Sequence, residues 1–264
     1  MTKVIEVPRK KHRGRRALIA ILIIVVLLVA AFFVADYFAK KYATDYVRTQ
    51  IASSLGLPST APVTVNLGSG SILLQAATGA IDNVNVGVNP IALDGLSGSA
   101  TLVATGVPLN QTTPVKTLEV KVSVPTATIT AAISRIPSLK SVKPVVTMSG
   151  THVAVTGTVF VFGFPQAIGA TLTPTVTKGV PGFTINSASF DGATVSATVL
   201  NRYLPGLTTL LESGTSLCIA NDLPKAFVLT GIAVQGQSLV STFSGNGVEL
   251  NGAALAQKGT CPAN

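Results

Sequence analysis

The chain reads as an α+β protein: an N-terminal transmembrane helix followed by a curved, mainly antiparallel β-sheet with a few packed helices. Three observations predict this. Ala17–Ala35 (ALIAILIIVVLLVAAFFVA) is an uncharged apolar run of 19 residues. After it the composition turns to Val, Thr, Ala, Gly and Ser with no Trp, which suits strands around an apolar interior. The apolar residues there mostly alternate with period two between tight turns, which favours antiparallel pairing.

As a helix rising about 1.5 Å per residue, the run covers roughly 28 Å, close to a hydrocarbon thickness of about 30 Å. Lys3, Arg9, Lys10, Lys11, Arg13, Arg15 and Arg16 precede it with one acid, Glu6, a net of +6 out of the formal +9. The remainder holds 12 basic and 9 acidic residues, spread thinly. A basic cluster beside an apolar span is a topology signal that keeps the N-terminus in the cytoplasm. No Lys/Arg stripe interleaved with aromatics follows, so nucleic acid is not an expected partner. The expected organisation is a basic cytoplasmic tail (1–16), a transmembrane helix (17–35) and an extracytoplasmic domain (36–264), single-pass in the plasma membrane. Val29-Ala30-Ala31 has the small-residue pattern of a cleavage site, but the run exceeds the usual signal-peptide core of about 7 to 15 residues. An uncleaved anchor is the preferred reading.

The helix is expected to continue past the span. Asp36, Lys40, Lys41, Thr44, Asp45 and Arg48 make one face, and Phe38, Tyr42, Tyr46, Val47, Ile51 and Leu55 the other. The second face is expected to pack on the core, or else to meet lipid. Gly56 and Pro58 stop the helix. Val63 and Val65 open the first strand. Ser69–Ala77 reads as a helical turn ended by Gly79. Val84, Val86 and Val88 form a strand closed by Asn89-Pro90, and Ser99–Val107 another, stopped by Pro108. Leu118, Val120, Val122 and Val124 face away from Glu119, Lys121 and Ser123 in the cleanest amphipathic strand. Pro125–Ile136 reads as a helix with Thr126 or Thr128 as N-cap. Strands follow at Val153–Val161, at Leu172–Val176, and from Phe183 to Phe190 between a Val180-Pro181-Gly182 turn and Asp191-Gly192. A further helix is expected over Ser196–Leu211. A hairpin of Phe227–Val234 and Ser238–Ser244 closes the order.

Reactive groups are scarce. Cys218 and Cys261 both lie outside by the topology argument, where an even pair of thiols is expected as a disulfide. A metal pair is the weaker reading, because His152 is the one histidine after the span. No nucleophile elbow accompanies His152, and the acids are scattered singly, so the protein is not expected to be an enzyme. Neither a cofactor nor a catalytic or metal-binding residue is expected. What the chain offers is apolar surface, suited either to a solid Val-rich core or to a cavity for acyl chains.

The run of features resembles one known family. These are the basic start and span, Leu55-Gly56-Leu57-Pro58, Val63-Thr64-Val65, Gly70-Ser71-Ile72-Leu73-Leu74-Gln75 with Gly79, and Val84–Val88. Near the end come Leu223-Pro224, Gly236 and Gly247-Val248-Glu249-Leu250. The pattern resembles the LmeA-like phospholipid-binding family of actinobacterial cell-envelope proteins, over most of Asp36–Leu250. The resemblance implies a fold like the tubular lipid-binding (BPI-like) domains and a non-catalytic role in envelope lipid or lipoglycan maintenance, with phospholipid and the plasma membrane as partners. Val47, Ile51, Leu55, Leu73, Leu74, Leu207 and Leu211 are the expected lining of the lipid cavity. The alternative expectation is a structural or interaction module of the envelope with a solid core and no lipid.

Overall fold

The computed structural model describes residues 13–54, 62–93, 96–110, 112–135, 139, 141–196, 221, 223–249 and 252–260. Helix α1 (Arg13–Ser54) carries the apolar span into the domain as one continuous rod, about 63 Å long at 1.5 Å per residue. Its apolar part is long enough to cross a membrane, as an anchor or a signal sequence would, and none of that stretch is buried in the domain.

Eleven strands form two antiparallel sheets among the described residues. The first has the order β1 (Val63–Asn66), β2 (Ala80–Leu93), β3 (Leu96–Pro108), β4 (Thr117–Pro125), β11 (Ser238–Asn246) and β10 (Val228–Gln235). The second runs β5 (Val145–Ser149), β6 (His152–Val161), β7 (Phe164–Thr177), β8 (Val180–Phe190) and β9 (Ala193–Val195). Helix α2 (Ile72–Thr78) joins β1 to β2, α3 (Thr126–Ser134) leads from the first sheet to the second, and α4 (Gly252–Ala256) is a short turn near the end. The single curved sheet expected from the sequence is therefore two sheets. The chain leaves the first at α3, and β5 finds its partner in β6 rather than in any earlier strand.

Helix α2 forms where expected. Ser71 Oγ accepts from the Leu74 N–H at its start, and Gly79, in the left-handed region at φ 81°, ends it. Other details differ from the sequence reading. The N-cap of α3 is Pro125, with no side-chain cap. Thr126 instead donates to the Gln237 carbonyl at 2.7 Å, and Thr128 is buried against Ser97, so the β10–β11 turn and β3 have taken both hydroxyls. Strand β2 does not close at Asn89-Pro90 but continues to Leu93 past a register shift between Val88 and Ile91. Val180-Pro181-Gly182 belongs to β8. The turn before it is Lys178-Gly179, whose two positive φ angles (52° and 79°) give the tight two-residue hairpin geometry. Asp191-Gly192 makes the same kind of turn (48° and 81°), as the sequence predicts.

Each sheet contributes to one core. Val63, Leu67, Ile72, Val84, Val86, Val88, Ala104, Val115, Leu118 and Val248 are buried together, with Ala39, Ala43, Ile51 and Ala52 of α1 packed on them. Val146, Met148, Val153, Ala170, Leu172 and Ala188 form the second cluster, which takes in Val234 and Leu239 from the first sheet and Ile129 and Ile133 from α3. The sheets thus meet where β10 lies along β7 and β8.

Candidate functional site

The register places one apolar face across the first sheet. Val88 stands opposite Ala100, Ala100 opposite Val122, Val122 opposite Ser241, and Ser241 opposite Ile232. One row over come Val86, Leu102, Val120, Phe243 and Leu229, and beyond them Val84, Ala104, Leu118 and Gly245. Side chains two apart along a strand share a face, so these rows form one surface. Helix α1 packs at the β1 edge of this face, because Val63 pairs with Val88 and both belong to the core that α1 covers. Ala100, Ser241, Ala104 and Gly245 on it are small, and Val248 fills the space over Gly245, where an added Cβ would lie 2.7 Å from its Cγ2. Leu102, Val120, Val122 and Ile232 on this face are only half-buried among the described residues. In the same direction the stripe passes Val124 and Leu239 into the core of the second sheet. The opposite face carries Glu119 and Lys121, which form an exposed ion pair at 2.8 Å, beside Val103.

Helix α1 is fixed at one end of this face by polar contacts. The Asp36 carboxylate accepts from the Ser71 hydroxyl at 2.8 Å and the Leu73 N–H at 3.0 Å. The Lys40 ammonium donates to the Gly68 carbonyl. The Leu73 N–H first, then the Ser71 hydroxyl, hold the Asp36 carboxyl below the ordinary aspartate range, because both bond the charged form. Between α1 and the β1–α2 connection lies an open cleft of about 510 Å³ lined by Lys40, Thr44, Asn66, Ser69 and Asn85 over Val65 and Leu67.

These contacts split the expected faces of the helix: Val47 and Ile51 turn inward as expected, but Asp36, Lys40 and Thr44 join them there and the aromatic residues do not. Its inward residues are Asp36, Ala39, Lys40, Ala43, Thr44, Val47 and Ile51, while Phe38, Tyr42 and Tyr46 are 62%, 76% and 63% exposed. Two alanines let the helix approach closely, and the polar side chains beside them find partners on the domain. At 100° per residue, Phe38, Tyr42 and Tyr46 then fall on the outer side. Phe32 and Phe33 are exposed within the apolar span, and Tyr37 is exposed just past its end, Tyr being a residue type enriched at membrane–water interfaces.

Of the expected cavity residues, Val47 and Ile51 lie half-buried on the inner side of α1, and Ile51 joins the first core. Leu73 is half-buried beside Asp36, whereas Leu74 is 60% exposed. Leu55, Leu207 and Leu211, the helix expected over 196–211 apart from its first residue, and Cys218 and Cys261 with their expected disulfide lie outside the described residues. Leucines on helices drew the sequence reading away from the strand residues Leu102, Val120 and Val122. Their signal was there, in the alternation of Val120 and Val122 with Glu119 and Lys121. His152 stands on the polar face of the second sheet, its Nδ1 3.0 Å from the Thr173 hydroxyl, which donates to Asn186 Oδ1. Neither partner is a carboxylate.

A model of the LmeA-like phospholipid-binding family matches residues 34–244, which include α1 from its exit from the span, α2, the apolar face and nearly all of both sheets. The chain belongs to the LmeA-like phospholipid-binding family. The comparisons with curated proteins and with solved structures give no match. The family's description names phospholipid as what is bound, and acyl chains call for apolar surface within reach of a membrane. Family membership therefore directs attention to the apolar face of the first sheet and away from the polar face around His152.

Proposed function

We propose that this protein is a membrane-anchored, extracytoplasmic phospholipid-binding protein that supports envelope lipid or lipoglycan maintenance without catalysing a reaction. The observation that carries the reading is the apolar face running from Val88 to Ile232, half-buried in its middle and flanked by α1. Acyl chains lie along this face, with Val47 and Ile51 on the helix side, in the manner of the tubular lipid-binding domains that the sequence resembles. The basic tail sets the topology: residues 1–16 stay in the cytoplasm, and the domain after Ala35 faces outward. Tyr37, exposed just past the span, suits the outer interface. With no spacer between the span and the docked part of α1, the face stands close to outer-leaflet lipid, and the polar cleft around Lys40 suits a head group. The test is organic extraction of the purified protein followed by mass spectrometry, paired with liposome binding. Co-purified phospholipid at a fixed ratio to protein is expected. Absence of both bound phospholipid and liposome binding overturns the proposal.

A further inference from the structure

The β6–β7 hairpin ends in an uncovered cluster of phenylalanines. Phe160, Phe162 and Phe164 are 71%, 97% and 70% exposed. The register shows the tip standing clear of its sheet. Pairing with β5 reaches only Thr156 and pairing with β8 only Ile168, while Val159, Phe160 and Val161 pair with Gln166, Pro165 and Phe164 alone. Opposed residues share a face, so Phe160 and Pro165 cover one side, Val161 and Phe164 the other, and Phe162 the turn. A finger that is apolar on every side suits insertion into an isotropic apolar medium better than docking on a flat protein surface. No charged residue occurs from Val153 to Thr177.

Phe162 sits at φ 51° and Gly163 at 87°, a two-residue turn whose first position ordinarily takes Asn, Asp or Gly. It is the same turn geometry as Lys178-Gly179 and Asp191-Gly192, with Phe162 exposed at its tip.

The position of the finger follows from the pairing. Asp36 ties the membrane-exit end of α1 to α2, whose C-terminus leads into Ala80. Ala80 pairs with Pro108 and Thr105 with Thr117, Thr117 pairs with Asn246, and Ser244 with Val228, so Val228 marks the same end of the first sheet. Gly179 abuts Val228, where an added Cβ would lie 3.5 Å from its Cγ1. From there β7 runs back along β10 past Leu172, which shares a core with Val234 at the far end of β10. Phe164 lies 13 residues before Thr177, roughly 43 Å along an extended strand. The finger therefore points away from the membrane that holds α1.

We infer that the Phe160–Phe164 hairpin inserts into a second phospholipid bilayer, opposite the one anchoring α1, so that the lipid-binding face lies between two membranes. The direction rests on the proposed anchoring by α1; insertion itself does not need an acyl chain on the apolar face. The chain has no Trp, so Phe162→Trp gives a single intrinsic reporter at an exposed position. Full-length F162W protein is placed in phosphatidylcholine/phosphatidylglycerol vesicles and mixed with acceptor vesicles of the same lipids. Brominated acyl chains are put first in the acceptor, then in the host. Quenching by the acceptor lipids alone is the expected result. Quenching by the host lipids alone, or by neither, overturns the inference. Replacing Phe160, Phe162 and Phe164 together by Ser removes three large apolar groups and is expected to lower acceptor capture by about tenfold or more. Capture at the wild-type level overturns the inference. Phospholipid co-purifying with the triple variant is read separately, so loss of the finger is distinguished from failure of the lipid-binding face.

Discussion

Placing a charge on the apolar face gives a sharp test of where lipid lies. Val122 sits at the centre of the first sheet between the small residues Ala100 and Ser241 and is half-buried. Fully burying a valine contributes about 1.5–3 kcal/mol, so loss of this half-buried side chain weakens the lipid-free fold by about 1 kcal/mol. The effect on binding is larger. In Val122→Asp a carboxylate would have to be stripped of water against an acyl chain, which costs several kcal/mol. At 1.4 kcal/mol per tenfold, a cost of about 3 kcal/mol lowers phospholipid affinity by roughly a hundredfold. The control is Thr101→Asp, an exposed position on the opposite face, where the new carboxylate stands across from Lys121. Titration with a fluorescent phospholipid, together with thermal unfolding of both variants, separates binding from folding. Wild-type affinity in a folded V122D protein, or equal loss in both variants, would refute the assignment of this face.

Two further predictions concern how the frame is held. Asp36 has its carboxyl lowered by the Leu73 N–H and the Ser71 hydroxyl, so its stabilisation is present above the unfolded value of about 3.9 and is lost as pH falls through the lower folded value. Asp36→Asn, which keeps an acceptor but not the charge, is expected to be less stable than wild type at neutral pH and to converge with it in strong acid. A gap that stays constant across a pH series of melting curves contradicts this. At Gly98 an added Cβ would lie 2.5 Å from the Ser123 carbonyl oxygen on the next strand. Gly98→Ala is therefore expected to destabilise the fold by about 1–3 kcal/mol in denaturant titration, and an unchanged midpoint refutes the close approach.

Much of the framework was legible because it is written in local periodicity. The alternation of Leu118–Val124 with Glu119–Ser123 marks both the strand and its wet side, and Ser71 with Gly79 brackets α2. The parts that were not legible depend on contacts distant in sequence. The inward face of α1 carries Asp36 and Lys40, which read as solvent-facing until their partners Ser71 and Gly68 are known. The aromatic residues opposite them look like core until the alanines are seen to make the contact. Val180-Pro181-Gly182 has turn composition, yet Lys178-Gly179 already turns the chain, which leaves Pro181 to extend the strand opposite Val176. The division into two sheets follows from which strand β5 pairs with, and composition does not reveal that. For the candidate site, residue type misled: leucines on helices stood out, while the apolar face is built by valines with small neighbours on strands. Phe160, likewise, read only as the alternate position of a strand, because nothing local reveals that the hairpin outruns β5 and β8.

The central claim is that acyl chains lie on the α1-facing side of the first sheet. It is tested most directly by photo-crosslinking with a phospholipid carrying a diazirine in its acyl chain, followed by peptide mapping of the purified protein. The account predicts adducts on peptides holding Leu102, Val120, Val122 and Ile232, together with Val47 or Ile51 of α1. Adducts confined to the apolar span of α1, with none on these strands, would contradict it.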